Sequence, residues 1–153
     1  MDYNTLITLH IISVILLLGV GGGSAFYKFM SDRSGNLEVI VHTNKMVVLA
    51  DWLFTTPSVL LQPITGLMLA NLMGYSFDEL WLLLSVTLYV FSTLLWLVAV
   101  WLQIKMKKMA RSAVEQKVNL GEAYAKLVNY WIWLGVFSAF SMGTVFYLMI
   151  YKI

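Results

Sequence analysis

Long apolar runs, separated by short charged segments, dominate the pattern of hydrophobic and polar positions in this chain. Four runs cover residues 6–27, 46–72, 80–104 and 127–151. A helix needs about 20 apolar residues to cross the hydrocarbon core of a bilayer. The runs take up nearly the whole sequence and leave no segment for a soluble domain. The pattern predicts an all-α membrane protein, a single antiparallel four-helix transmembrane bundle over residues 1–153.

Polar residues inside these runs recur at helical spacing. In the second run they step by four, three, four and three positions, which places them on one face of a helix: Asp51, Thr55, Ser58, Gln62 and Thr65. The third run carries a similar stripe of Ser85, Tyr89, Ser92, Trp96, Ala99 and Gln103, and the first and fourth include His10, Ser13 and Met142. Polar side chains facing lipid are costly. We therefore expect these faces to line a moderately polar interior.

The basic residues have a one-sided distribution. Of the 10 lysines and arginines, nine lie in or at the ends of the loops 28–45 and 105–126, and only Lys152 lies on the other side. Positively charged loops remain in the cytoplasm, so we expect both termini outside it. The expected location is the bacterial inner (cytoplasmic) membrane, with multiple spans and the lipid bilayer as partner. An ordinary positive-inside loop accounts for the charge, and no nucleic-acid partner is expected.

Composition narrows the possible chemistry. Hydrophobic residues make up 60% of the chain and charged residues 12%, and there is no cysteine, which excludes disulfides and thiolate metal sites. Gly19, Gly21, Gly22 and Gly23 predict close helix packing, or a face on which a flat ligand can lie. Pro57 and Pro63 each remove a backbone donor and free carbonyl groups, which neighbouring polar side chains must satisfy.

His10 and Asp51 are the ionisable groups of greatest interest, because such groups inside a membrane are functional candidates. A neutral His10 could ligate haem iron, or it could form hydrogen bonds to a neighbouring helix. His42 lies roughly a membrane thickness away, so the two histidines cannot bind one haem from opposite sides. Asp51 could pair with Lys28 or Lys45, cap its helix, or relay protons.

Two segments resemble a known family. The stretches "VVLADWLFTTPSVLLQPITGLMLA" and "WLQIKMKKMAR" are similar to signatures of an uncharacterised bacterial family of four-helix integral membrane proteins. This resemblance runs across most of the chain. It implies the four-helix membrane fold, but it implies no activity or cofactor because the family is uncharacterised.

A weaker resemblance is to the HemJ-type protoporphyrinogen IX oxidases. It rests on the pair Leu9-His10, on Pro57 followed nine residues later by Gly66, and on Trp81 at the start of the third helix. It implies that His10 binds haem b. In its third helix that family has a lysine and a histidine, and at these two positions this chain has Ser85 and Trp96. This chain therefore lacks two polar side chains that the oxidases have.

Two classes of function remain open. The first is a redox protein that binds b-type haem through His10 as the iron ligand, with a sixth ligand from Met142, Gln62, Tyr89 or water. The expected cofactor-binding residues are His10, Gln62, Ser85, Tyr89 and Met142. The second is a non-enzymatic membrane protein without a cofactor, either an assembly subunit or a small-solute pathway lined by the second-helix stripe. A homo-oligomer and a membrane redox partner are both compatible with the sequence.

Overall fold

Four helical units run the length of the computed structural model, which describes residues 1–152. They comprise α1 (Tyr3–Ser34), α2 (Leu37–Ala50), a π-helical turn (Asp51–Thr55), α3 (Thr56–Leu72), α4 (Leu80–Gln116) and α5 (Glu122–Tyr151). The segments α2, π turn and α3 follow one another without a break. All four units, with Leu37–Leu72 as the second, are long and apolar enough to cross a membrane.

The helices extend past the apolar runs, and local capping sets their ends. Gly35 takes a left-handed φ of 65° after α1. The Asn36 side chain then accepts hydrogen bonds from the backbone N–H groups of Glu38 and Val39, so α2 begins well before residue 46. Helix α4 continues to Gln116, and Lys117 ends it with a φ of 55°. Helices α1, α2 and α4 thus extend beyond their apolar runs at the end of the bundle where these caps lie.

This projecting end, which we call the basic end, has its own apolar core. Met106 and Ala110 of α4 are fully buried there. They pack in one cluster with α2 and α5, whose buried members are Ile40, Ala99, Leu102, Met106, Ala110, Tyr124 and Trp131. The sequence of residues 105–126 predicts that the third helix continues past the membrane and that the chain turns near Gly121. The structure confirms this: α4 continues to Gln116 and α5 begins after Gly121, because small and apolar residues continue the buried face of α4.

The opposite end, which we call the terminal end, joins the end of the chain to the connection between α3 and α4. The rings of Tyr75 and Trp81 meet edge to face with centroids 5.2 Å apart. The Trp81 indole donates to Glu79, and Lys152 donates to the Tyr75 hydroxyl. His10, near the start of α1, contacts Thr65, near the end of α3. Neighbouring helices therefore run antiparallel, and both chain ends lie at the terminal end.

Apolar side chains cover the outside of the bundle. Phe140, Phe26 and Trp52 are 76%, 60% and 60% exposed. A surface of this kind is suited to lipid rather than water. The predicted fold class, an all-α four-helix membrane bundle, is confirmed. The side of the membrane that the terminal end faces stays a prediction, and Ile153 lies outside the described residues.

Candidate functional site

The polar residues near the terminal end form a closed hydrogen-bonded cluster between α1 and α3. The Thr65 hydroxyl donates to the Leu61 carbonyl at 2.7 Å. It therefore accepts from His10 Nδ1, 2.9 Å away. The Gln62 amide nitrogen donates to His10 Nε2 at 2.9 Å, and the Ser13 hydroxyl donates to the Gln62 amide oxygen. Both ring nitrogens of a neutral His10 are thus hydrogen-bonded.

Gly66 allows this close approach. A Cβ atom built on Gly66 would lie 3.1 Å from His10 Cε1. The imidazole is therefore in contact with the α3 backbone on one side, while its two nitrogens face Thr65 and Gln62. Neither nitrogen is available to iron in this arrangement, so these residues do not fit a haem ligated by His10.

The five residues expected to bind a cofactor do not converge. His10 and Gln62 belong to the closed cluster, and the Ser85 hydroxyl donates to the Trp81 carbonyl of its own helix at 2.7 Å. Tyr89 and Met142 lie elsewhere, on the wall of an interior cavity.

The polar stripe of the second span is buried throughout, since its members are only 1–5% exposed: Asp51, Thr55, Ser58, Gln62 and Thr65. Its halves differ in their surroundings. Gln62 and Thr65 join the His10 cluster, and the Ser58 hydroxyl donates to the Phe54 carbonyl at 2.7 Å. Asp51 and Thr55 line the interior cavity. The stripe therefore lines no continuous path through the bundle in this structure.

A π-helical turn places Asp51 on that cavity. Pro57 lacks the N–H that would continue the α-helical ladder, and the turn just before it is wider than an α-helical one. The Asp51 carbonyl accepts both the backbone N–H of Thr56 and, at 2.9 Å, the Thr56 hydroxyl. The Thr55 hydroxyl donates to Asp51 Oδ1 at 2.9 Å. π turns within helices occur frequently at functional sites.

The cavity has a volume of about 440 Å³ and lies between α1 and α5, with α4 and the π turn behind it. Small residues on the two flanking helices leave this space, namely Gly21, Gly22, Gly135 and Ala139. A Cβ built on any of the three glycines would meet no atom within 4 Å. The backbones of α1 and α5 come close at few positions, so the cleft between them faces the bilayer.

Unpaired polar atoms are concentrated on the wall of this cavity. Six buried side-chain polar atoms have no hydrogen-bond partner within residues 1–152, and four of them belong to cavity-lining residues: Asp51 Oδ2, Ser92 Oγ, Trp96 Nε1 and Gln103 Oε1. Trp96 and Gln103 lie near the carboxylate without completing a hydrogen bond to it. A buried polar group left unpaired costs about 1–3 kcal/mol. Such a concentration marks a place where a bound polar group would gain partners.

Sequence reasoning included Ser92, Trp96 and Gln103 in a stripe of the third run but did not select them as site residues. The feature of the sequence that could have identified them is that they share a helical face with Tyr89, which was selected. The proximity of Trp96 and Gln103 to Asp51 depends on how α4 packs against the π turn, which spacing within one helix does not reveal.

A buried ion pair lies beside the cavity wall, toward the basic end. Lys28, only 1% exposed, donates to Asp32 at 2.8 Å. Tyr124 donates to the other oxygen of Asp32 at 2.8 Å and accepts from Asn44 at 2.9 Å. The Lys28 ammonium lies 5.5 Å from the ring centroid of Trp131, a residue of the cavity wall. Lys28 therefore pairs with Asp32, and the suggested pairing with Asp51 is wrong.

The glycines of α1 border open space rather than another helix. Among residues 1–152 no atom lies within 4 Å of a Cβ built on Gly19, Gly21, Gly22 or Gly23. Gly21 and Gly22 face the interior cavity, while Gly19 and Gly23 face a second cavity of about 490 Å³ between α1 and α2. His42 is part of this second cavity's wall. The predicted close packing at these glycines is wrong, and the alternative of a ligand-accommodating face remains.

Metal-binding clusters are not found in the described part of the chain: residues 1–152 contain no group of three histidine, aspartate or glutamate side chains that could hold an ion.

These observations define the class of protein: a small polytopic helical membrane protein with an interior cavity and an intramembrane carboxylate. The chain belongs to the family described as "Predicted integral membrane protein (DUF2269)", whose model matches residues 4–153. No curated protein and no solved structure matches the chain. The resemblance to a family of uncharacterised membrane proteins is thereby confirmed, and the weaker resemblance to HemJ-type oxidases has no support.

Proposed function

We propose that this protein is a non-enzymatic membrane protein that binds a small lipophilic molecule with a polar head in the cavity between α1 and α5. The observation that supports this most strongly is the presence of four unpaired, buried polar atoms on the wall of a mostly apolar cavity. Ligand sites commonly combine 300–1,000 Å³ of mostly apolar wall with a few convergent polar groups. The cavity of about 440 Å³ falls in this range.

The position of the cleft favours entry from the lipid. A lipophilic molecule concentrates in the bilayer and can enter the cavity laterally between α1 and α5. The glycine and alanine residues on these helices have small side chains and leave that space open. Toward the basic end, the buried pair of Lys28 and Asp32 lies beside Trp131 of the cavity wall. Toward the terminal end, the hydrogen bonds of His10 join α1 to α3. These contacts restrict access along the axis of the bundle, so binding within the membrane is favoured over an open aqueous pathway.

A haem-binding redox role through His10 is the alternative, and it is less favoured. It requires Gln62 to release His10 Nε2 and the imidazole to leave its contact with Gly66. A membrane redox partner or a homo-oligomer would be required only if the protein has this redox role or is an assembly subunit. A Soret band in protein purified after expression with ample haem supply would favour this alternative.

The test of the proposed function uses one probe and two matched leucine variants. Gly135 lines the cavity, whereas Gly143, on the same helix, does not, and a Cβ at either position meets no atom within 4 Å. We expect decanol, added to protein in nanodiscs and detected by native mass spectrometry, to bind the wild type and Gly143→Leu. Gly135→Leu fills the cavity and should reduce binding at least tenfold.

Equal decanol binding by the two variants would refute the proposed site, and so would a wild type that binds neither decanol nor decylamine, the amine with the same tail. Circular dichroism and thermal unfolding of both variants exclude misfolding as the cause of a loss.

A further inference from the structure

The cavity also indicates what kind of polar head it accepts. We infer that the ligand is a lipophilic amine, whose protonated head pairs with Asp51 and whose apolar tail fills the cleft between α1 and α5. The inference rests on the proposed function and adds a chemical class to it.

An unpaired carboxylate oxygen is the feature of the cavity wall that selects the head. The Asp51 carboxylate uses Oδ1 to accept from Thr55, which leaves Oδ2 unpaired. Gln103, whose side chain lies near this carboxylate, has an unpaired acceptor in Oε1. An ammonium group carries three N–H donors and no acceptor, so it can donate to Asp51 Oδ2 and still has hydrogens for a second acceptor. A hydroxyl head has only one hydrogen to donate.

The uncharged polar groups of the wall do not neutralise the carboxylate. The Tyr89 hydroxyl is committed to the Val59 carbonyl, to which it donates at 2.7 Å. Trp96 Nε1 and Ser92 Oγ are both unpaired, and each carries a hydrogen that it can donate. The Trp96 indole lies near the carboxylate and can help to hold it without competing for the ligand's hydrogens.

Charge favours the same head. Asp51 is the only charged residue on the described cavity wall. Lys28, which the sequence suggested as an ion-pair partner of Asp51, is paired with Asp32 instead. An intramembrane carboxylate is usually paired, and within residues 1–152 no basic side chain forms an ion pair with Asp51. A carboxylate or phosphate head would instead be repelled, because like charges in a low-dielectric site are unfavourable.

The rest of the wall is suited to a hydrocarbon tail. It is formed largely by alkyl and aromatic side chains, among them Leu17, Val59, Leu95, Val136 and Met142. A single cationic head with an alkyl or aryl tail matches one polar side and apolar walls elsewhere. A polyamine does not, because its second charge would lie against hydrocarbon.

The experiment compares decylamine with decanol, which share a tail and differ in the head. Binding to full-length protein in nanodiscs of zwitterionic lipid is measured by native mass spectrometry. We expect decylamine to bind the wild type at least tenfold more tightly than decanol. Asp51→Asn should remove this preference while decanol still binds, and Asp78→Asn, which alters an exposed loop carboxylate, should retain it.

The outcomes separate the two proposals. If the wild type binds both probes equally, or if Asp51→Asn keeps the preference, the amine inference is wrong and the cavity remains a ligand site. If neither probe binds, or if Gly135→Leu binds both as the wild type does, the proposed function itself fails. Retained decanol binding by Asp51→Asn also shows that the variant is folded.

Discussion

A single backbone position decides how His10 is used. Because Gly66 has no side chain, the imidazole can reach both Thr65 and Gln62 across the interface of α1 and α3. Its two nitrogens then have the partners that a buried neutral histidine requires. The histidine and the glycines of the same helix thus serve different purposes: His10 joins two helices, and Gly21 and Gly22 leave room for a cavity.

Alanine at Gly66 should therefore destabilise the protein relative to alanine at Gly19. At Gly66 the new methyl group meets His10 at 3.1 Å, and the ring cannot shift without lengthening its hydrogen bonds. At Gly19 nothing lies within 4 Å, and alanine favours the helix by up to about 1 kcal/mol. We expect a difference of about 1–3 kcal/mol, measured by reversible unfolding in mixed micelles with SDS. Equal stability of the two variants would contradict the tight contact.

Sequence reasoning identified the right residues around His10 but assigned Gln62 a different role. Helical spacing places His10 and Ser13 on one face of α1 and Gln62 and Thr65 on one face of α3. It does not show which side chains meet across the interface, because that depends on the axial offset of two helices whose contacting residues are 49–55 positions apart in sequence. Gln62 was thus expected as an iron ligand, and the structure shows it as a partner of the histidine.

At the scale of the helical elements, the two prolines of the second span have different consequences. Pro57 adjoins the π turn that holds Asp51 at the cavity. Pro63 cannot donate to the Val59 carbonyl, four residues before it. The Tyr89 hydroxyl of α4 donates to that carbonyl instead, at 2.7 Å. The sequence predicted that polar groups would satisfy the carbonyls freed by proline, but it suggested residues of the same helix.

Phenylalanine at Tyr89 should lower stability, because it leaves the Val59 carbonyl without a donor inside the membrane. Interhelical hydrogen bonds in membranes contribute about 0.6–2 kcal/mol. In a Pro63→Ala background the backbone N–H of residue 63 returns, so the same Tyr89→Phe change should cost less. A double-mutant cycle on unfolding free energies measures this coupling. Additive effects would show that Tyr89 and Pro63 are independent.

At the scale of the whole molecule, the fold was predictable and the cavity was not. Four apolar runs of membrane-spanning length leave few alternatives, because every backbone polar group in lipid must be paired within a helix. The cavity arises from a gap between α1 and α5, which come close at few positions. Small residues at Gly21, Gly22 and Gly135 are equally compatible with close packing. Only the packing of the four helices decides between contact and open space.

The orientation of the bundle follows from charge and can be tested with the chain's lack of cysteine. Asp78, in the loop at the terminal end, and Val118, after α4 at the basic end, are both exposed. Since nine of the 10 basic residues lie toward the basic end, that end should face the cytoplasm. A single cysteine at Asp78 should react with a membrane-impermeant maleimide in intact spheroplasts. A cysteine at Val118 should react only after lysis. The reverse pattern would invert the protein, and the buried pair of Lys28 and Asp32 would then lie on the outer side of the cavity rather than on its cytoplasmic side.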